Sequence, residues 1–246
     1  MKVIINEISL KGKRDTNQDR LSIEKKKHEL MIGVYDGHGT HGDTISSYLQ
    51  KHFIKNFKKL YQKNDIQEYI YNTQNKLKQK KEGSESGSTL LVLKIDFIKK
   101  KIIVVNLGDC RALLGYSNKF LQLTNDHKVD DINERLRLLE SKKNVVYDEN
   151  DQLFRVDGYA VSRAMGNTKY DSISQKAEIS FFEFSHNINY IVIACDGLWD
   201  VLDNKEVNDF ILENKSNKNV AELLAKKAID KGSEDNVSII IVFFFK

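Results

Sequence analysis

Apolar and polar positions along this chain follow two rhythms. Short apolar runs recur near residues 2–9, 20–24, 30–35, 89–97, 102–107, 111–116, 178–184, 190–195 and 237–245, each bounded by polar or glycine-containing clusters. Such runs predict strands. Several, including YIVIAC (190–195) and VSIIIVFFF (237–245), are continuously apolar, as suits strands buried on both faces. Elsewhere the period lengthens. Ile45, Leu49, Phe53, Phe57 and Leu60 recur every three or four residues, and so do Val220, Leu223, Leu224 and Ala228 after the polar cluster KSNKN. These stripes predict amphipathic helices whose apolar faces serve core packing, and a third helix is expected over about 130–142. The gaps between successive strands are hairpin-sized, and helices do not alternate singly with strands. An α+β layered sandwich of antiparallel sheets is therefore expected, rather than a doubly wound parallel sheet. No internal repeat or linker interrupts the pattern. KKEGSESGS (80–88) is the weakest spot, but a strand follows at once, so 1–246 is expected to be a single domain.

Composition narrows the picture. The 246 residues are 40% hydrophobic and 30% charged, a globular balance with enough chain to bury a core without disulfides. Cys110 and Cys195 both lie in apolar stretches, which suits buried thiols in a reducing, cytoplasmic or nuclear, compartment. The net charge is +4. The lysine runs EKKK (24–27), KQKK (78–81) and KKK (99–101) lack interleaved arginines and aromatics, so they read as solvated faces and not as a nucleic-acid groove. The longest apolar run is far short of a membrane span. Neither a signal peptide nor a myristoylation start is visible, and a monomer that binds neither nucleic acid nor membrane is expected. Proline is absent, from which no function follows.

Candidate chemistry lies where the aspartates fall. In VYDGHGTHG (34–42), Asp36 ends an apolar run and is followed by two histidines and three glycines. An ordinary turn and a metal or acid–base site both fit that stretch. Asp196 ends the run 190–195, Asp235 precedes the run 237–245, and Asp109 sits in the tight turn NLGDCR. With the last two strands antiparallel, Asp196 and Asp235 fall on one sheet edge, and Asp36 joins them if its strand is oriented like 190–195. Each aspartate alone reads as a turn former or helix cap. Together they are costly, because two charges at 4 Å repel by about 4 kcal/mol at an effective dielectric of 20. A divalent cation removes that penalty, and carboxylate ligands select hard ions such as Mg²⁺ or Mn²⁺. Asp19 and Asp200 extend the candidate set.

At this point the chain resembles the metal-dependent protein phosphatases of the protein phosphatase 2C (PPM) type. The resemblance rests on KRDTNQDR (13–20), VYDGHG (34–39), SGSTLLV (86–92), NLGDCRALL (106–114), LTNDHK (123–128), RVDGYAVSRAMGN (155–167), ACDGLWDVL (194–202) and EDNVSIIIV (234–242). These motifs keep the family's order over nearly the whole chain. The resemblance implies a four-layer α-β-β-α sandwich, two antiparallel sheets flanked by helix pairs, with a flap subdomain about 125–177. It implies two Mg²⁺ or Mn²⁺ ions on one edge, and in some members a third, looser one. Carried over by position, Asp36 bridges the two ions, the Gly37 carbonyl is a further ligand, and Asp196 and Asp235 bind one of the ions. Asp109 and Asp200, with Asp196, match the surroundings of the third. Arg14 matches the phosphate-binding arginine, and Gln18, Asp19, Thr89 and Asn236 match groups around metal-bound waters.

The implied reaction is hydrolysis of phosphoserine and phosphothreonine in phosphoprotein substrates. A metal-bridging hydroxide attacks phosphorus in line, Arg14 fixes the phosphoryl oxygens, and His38 protonates the departing oxygen. His41 and His127 read as supporting or surface residues, and neither cysteine takes part. Four positions depart from the family pattern. Gln18 replaces the usual Glu, which implies modestly weaker metal binding, while Asn167, Val129 and Ala177 stand where Asp, Pro and Pro are common. The usual Gly-Gly is also missing from LLESKKNVVYDE (138–149). The changes at Val129, Asn167 and Ala177 and the missing Gly-Gly lie around the flap and bear on substrate preference. Two alternatives share the fold or the metal site: a pseudophosphatase acting as a binding or regulatory module, and a small-molecule phosphoesterase.

Overall fold

Strand-forming segments pair across long sequence separations in this computed structural model, which describes residues 1–245. One antiparallel sheet contains β1 (Lys2–Leu10), β8 (Arg111–Gly115), β9 (Phe120–Gln122), β14 (Tyr190–Ala194) and β15 (Val237–Phe245), in the spatial order β1-β15-β14-β8-β9. The other contains β2 (Arg20–Lys25), β3 (Glu29–Tyr35), β6 (Leu90–Asp96), β7 (Lys101–Leu107) and β13 (Glu178–Glu183), in the order β13-β7-β6-β3-β2. The short strands β4 (Gly37–His38), β5 (Gly87–Ser88) and β12 (Met165–Gly166) form a third sheet, and β10 (Val145–Asp148) pairs with β11 (Leu153–Val156). The helices are α1 (Gly42–Phe57), α2 (Lys63–Lys78), α3 (Ile132–Glu140), α4 (Asp196–Trp199), α5 (Asn204–Glu213) and α6 (Val220–Asp230).

The period-two rhythm sorts side chains into separate cores. Leu30, Ile32 and Val34 of β3 pack with Ile191 and Ile193 of β14 and with Ile240 and Val242 of β15. The intervening residues of β3, Met31 and Tyr35, pack with Ile45, Leu49 and Phe53 of α1 and with Ile66 and Ile70 of α2. Likewise Val192 of β14 and Ile239 and Ile241 of β15 pack with Val207 of α5 and Leu224 of α6. A smaller cluster joins Val129, Leu138, Val156, Ala164 and Ile173, all within the segment 125–177.

The predicted strands recur within a residue or two of their expected ends. Leu60, expected on the first helical stripe, lies beyond the end of α1 at Phe57 and is only partly buried. Three helices were not visible in the pattern. Those of α2 and α5 bury few strongly apolar side chains, and α4 is a single turn. Leu198 and Trp199 of α4 join the cluster that α5 and α6 form on β14 and β15. No described helix is long and apolar enough to cross a membrane.

The topology decides where the aspartates go. β14 and β15 are antiparallel with Ala194 opposite Ile239, so Asp196, just past one strand, meets Asp235, just before the other. β3 ends at Tyr35 and β7 and β8 are joined through 108–110, which brings Asp36 and Asp109 to the same cleft.

Candidate active site

Asp36 leaves β3 under tight backbone control. Its N–H donates to Thr89 Oγ1 at 3.0 Å, and the Thr89 N–H donates to the Asp36 carbonyl at 2.8 Å. Gly37 has to be glycine for a packing reason. A Cβ there would lie 2.5 Å from the Gly42 carbonyl oxygen and 2.7 Å from that of Gln18. The Gln18 side chain donates from Nε2 to the Gly39 carbonyl at 3.0 Å, and its backbone N–H donates to Asn236 Oδ1 at 2.8 Å. Asn236 in turn donates from Nδ2 to the carbonyls of Lys11 and Thr16. Gln18 and Asn236 thus tie together the loops that carry Arg14, Asp36 and Asp235. His41 is the exposed residue preceding α1. His127 is buried, and its Nδ1 accepts from the Gly108 N–H at 3.1 Å, which supports the turn holding Asp109. Burial, followed by the Arg163 charge, pushes the His127 pKa down to about 3.

Arg14, Asp36, Gly37, His38, Thr89, Asp109, Asp196 and Asp235 line one cleft of about 430 Å³. Asp19 lies behind it, 2% exposed. Oxygens of Asp19 and Asp36 and the Cys195 sulfur lie within 4.8 Å of one another. Burial is the main cause that pushes the Asp19 and Asp109 carboxyls up to about 6. It drives Asp36 and Asp196 well above the carboxylate range, with repulsion from the neighbouring aspartates added. Both Asp19 oxygens and Asp196 Oδ1 are buried without a hydrogen-bond partner. A buried unpaired carboxylate is one of the costliest groups a fold can hold. The Cys195 sulfur aside, the carboxylates of Asp19, Asp36, Asp109 and Asp196 offer oxygen donors alone, which fits a hard divalent cation. Burial raises both thiols well above their ordinary range, so neither is a thiolate nucleophile at neutral pH.

The remaining acids already have counter-charges. Arg14 donates to Asp235 Oδ2 at 2.6 Å, and Arg111 forms a two-pronged pair with Asp126 at 3.0 and 2.6 Å. Lys128 pairs with Asp200. Burial works against the Lys128 ammonium, but Asp109, Asp196 and Asp200 together hold its pKa above the ordinary range. The expected ligand set therefore divides. Asp36, Asp109 and Asp196 line the cleft together, Asp109 buried and the other two partly so, whereas Asp200 is half exposed, outside the cleft lining and bound to lysine.

His38 sits on β4 opposite Gly87. Its Nε2 is 2.8 Å from Asn167 Oδ1, and its ring lies 5.5 Å from that of Tyr159. Burial lowers its pKa, with the Asn167 contact acting in the opposite direction. Sequence reasoning did not connect Tyr159, Lys128 or the Asn167 side chain to this site. Only the departure at Asn167 from the family pattern gave a signal.

The protein phosphatase 2C family model matches residues 6–237. Among curated relatives, probable protein phosphatase 2C 28 of Arabidopsis thaliana is 33% identical over 232 residues, covering 90% of this chain and 66% of that protein. Probable protein phosphatase 2C 55 of Oryza sativa subsp. japonica is 32% identical, covering 96% of this chain and 64% of its own length. The chain thus spans about two thirds of the length of these two relatives. The crystal structure of serine-threonine phosphatase 2C from Toxoplasma gondii matches with a TM-score of 0.81 at 19% identity, covering 99% of this chain and 94% of that one. At that identity the match speaks for the fold.

Proposed function

Because this chain belongs to the protein phosphatase 2C family, we propose that it hydrolyses phosphoserine and phosphothreonine in proteins, using Mg²⁺ or Mn²⁺. The observation that carries this reading is the cleft itself, where the carboxylates of Asp36, Asp109, Asp196 and Asp235, with an unpaired buried oxygen on Asp196 and two more on Asp19 behind it, adjoin the Arg14 guanidinium and the His38 imidazole. Asp36, the Gly37 carbonyl, Asp196 and Asp235 would hold two ions, and Asp109 and Asp196 would border a third. Asp19, Gln18, Thr89 and Asn236 support them. The three large cores fit a four-layer α-β-β-α stack, with 125–177 as a flap built on its own small cluster. Two buried free thiols suit a cytoplasmic or nuclear setting.

Phosphate monoesters are among the slowest uncatalysed hydrolyses, so the site needs a nucleophile, charge neutralisation and a proton donor. Bound divalent ions supply the first two, by acidifying a water and offsetting the clustered negative charge. The chain's own groups do the rest. Arg14 lies at the rim, and its side chain is exposed enough to swing from Asp235 to a phosphoryl group. A guanidinium fork engages two such oxygens at once. His38 borders the same cleft and gives its proton to the departing seryl or threonyl oxygen. Such general-acid help is worth about 10²–10⁴-fold.

Phosphate release from a phosphothreonine peptide, measured with Mn²⁺ and with chelator, tests this reading. Turnover that requires the ion is expected. Turnover of small aryl phosphates alone would instead favour a small-molecule phosphoesterase, and no ion-dependent turnover by pure protein would leave a binding module.

A further inference from the structure

His38 is gripped from two sides by residues the proposed reaction has not yet used. Asn167 is fully buried and has a left-handed backbone, φ 48°. It is anchored by its N–H, which donates to the Ser86 carbonyl at 2.9 Å. With Asn167 Oδ1 facing the ring, the contact to His38 Nε2 puts the proton on Nε2, since an amide oxygen only accepts, and leaves Asn167 Nδ2 buried without a partner. Among the described residues Nδ1 has no hydrogen-bond partner, and it is not among the buried unpaired atoms. That nitrogen is open to exchange. Gly87 makes the approach possible, since a Cβ there would stand 2.6 Å from Nε2.

Tyr159 supplies the second contact, and its own position is fixed by a turn. Val156 and Tyr159 exchange both backbone hydrogen bonds at 2.9 Å around Asp157 (φ 51°) and Gly158 (φ 85°). Two central residues at positive φ make a type I′ hairpin turn, for which Asp-Gly is a preferred pair. The Tyr159 hydroxyl donates to the Glu85 carbonyl. Its ring packs against Tyr170 at 5.6 Å and is tilted 58° to the His38 ring. A phenol tethered at both ends leaves the imidazole little room to rotate.

We propose that Asn167 and Tyr159 are positioning residues for proton delivery by His38, with Asn167 holding the Nε2–H so that Nδ1 is the nitrogen that gives up its proton. This rests on the reading of His38 as general acid. As a water oxygen bonds to phosphorus and the ester phosphorus–oxygen bond breaks, the Nδ1 proton of the His38 imidazolium passes to the departing oxygen and Nε2–H stays on Asn167. The attacking water gives up its proton to solvent, and the neutral imidazole takes one back at Nδ1 from solvent.

The test compares kcat and KM on a phosphothreonine peptide and on p-nitrophenyl phosphate, whose phenolate departs without a proton. His38→Ala should lower kcat on the peptide by about 100-fold or more and on the aryl ester far less. Asn167→Gly, which suits the left-handed backbone, and Tyr159→Ala should each lose about 10-fold on the peptide alone, with KM unchanged. Asn167→Asp, which keeps the acceptor, and Tyr159→Phe, which keeps the ring, should recover most of that loss. Equal losses on both substrates, no loss, or no recovery by the conservative variants would overturn the positioning role while a selective His38→Ala left the acid in place. An unselective His38→Ala would instead remove the acid, and the inference with it. Imidazole ¹⁵N shifts give a check independent of turnover. The neutral His38 ring should carry its proton on Nε2, and a proton on Nδ1 overturns the proposal.

Discussion

Replacing Asp19 with Asn should stabilise the cation-free protein, an unusual outcome for a buried polar residue. The Asp19 carboxyl is pushed from 3.8 up to about 6, chiefly by burial, with repulsion from Asp235 added. The nearby Ser238 hydroxyl and Cys195 thiol bring it only part of the way back. The sign follows from when each state ionises. Below about pH 4 the carboxyl is protonated in both the folded and the unfolded chain and costs nothing. Between about 4 and 6 the unfolded chain releases its proton first, so folding grows less favourable, and above about 6 the cost is constant. At 1.36 kcal/mol per unit of pKa, a shift of about 2 units costs about 3 kcal/mol. Asn has the same shape and cannot ionise, and the neighbouring Asp36 carboxylate can accept from its amide.

In chelator at pH 8, Asp19→Asn should therefore melt higher, by about 6–12 °C for a chain of this size. At pH 4 the two proteins should melt together. With saturating Mn²⁺ the order should narrow or reverse, because a ligand that binds only the folded state stabilises it by mass action and the wild-type carboxylate favours that binding. Thermal melts at both pH values, with chelator and with Mn²⁺, supply the four comparisons. An Asn variant no more stable than wild type at pH 8 in chelator would refute the claim that Asp19 is strained by charge.

Asp196→Asn should lower peptide turnover by more than about 100-fold, since even groups behind a metal ligand cost 10–100-fold. In chelator its melting temperature should rise rather than fall, because Asp196 is driven well above the carboxylate range. Gln18→Glu replaces the Nε2 donor to the Gly39 carbonyl with an acceptor. Urea titration in chelator at pH 8 should show a loss of about 1–3 kcal/mol, easing toward pH 4 as the new carboxyl gains a proton. Glu134 is buried, yet hydrogen bonds from Arg163 and Ser162 and the nearby arginine charges outweigh burial and hold its pKa down to about 2. Its contribution is full above about 4.5 and is lost as pH falls toward 2. Glu134→Gln should cost about 3 kcal/mol at pH 7 and much less at pH 3.

Strand positions were legible because their side chains report burial directly. VSIIIVFFF has one reading, and β15 spans those nine residues. Helix α2 was not, since KNDIQEYIYNTQNKLK buries Thr73 and Gln74 besides Ile66, Ile70 and Leu77. Polar residues on an inward face hide the stripe. The same contrast divides the site. Asp36, Asp109 and Asp196 were visible because a carboxylate at the end of an apolar run is conspicuous in any sequence. Lys128 was not, because in a chain with 39 basic residues nothing marks a lysine whose ammonium lies near three aspartates. Asn167 and Tyr159 were harder still. They lie more than a hundred positions from His38 and reach it only because two-residue strands pair Met165 with Ser88 and Gly87 with His38. Such strands are too short to have a rhythm of their own. Groups that do chemistry must have particular side chains, and that chemistry shows in one dimension. Groups that aim them need only stand in the right place, and place is a property of the fold.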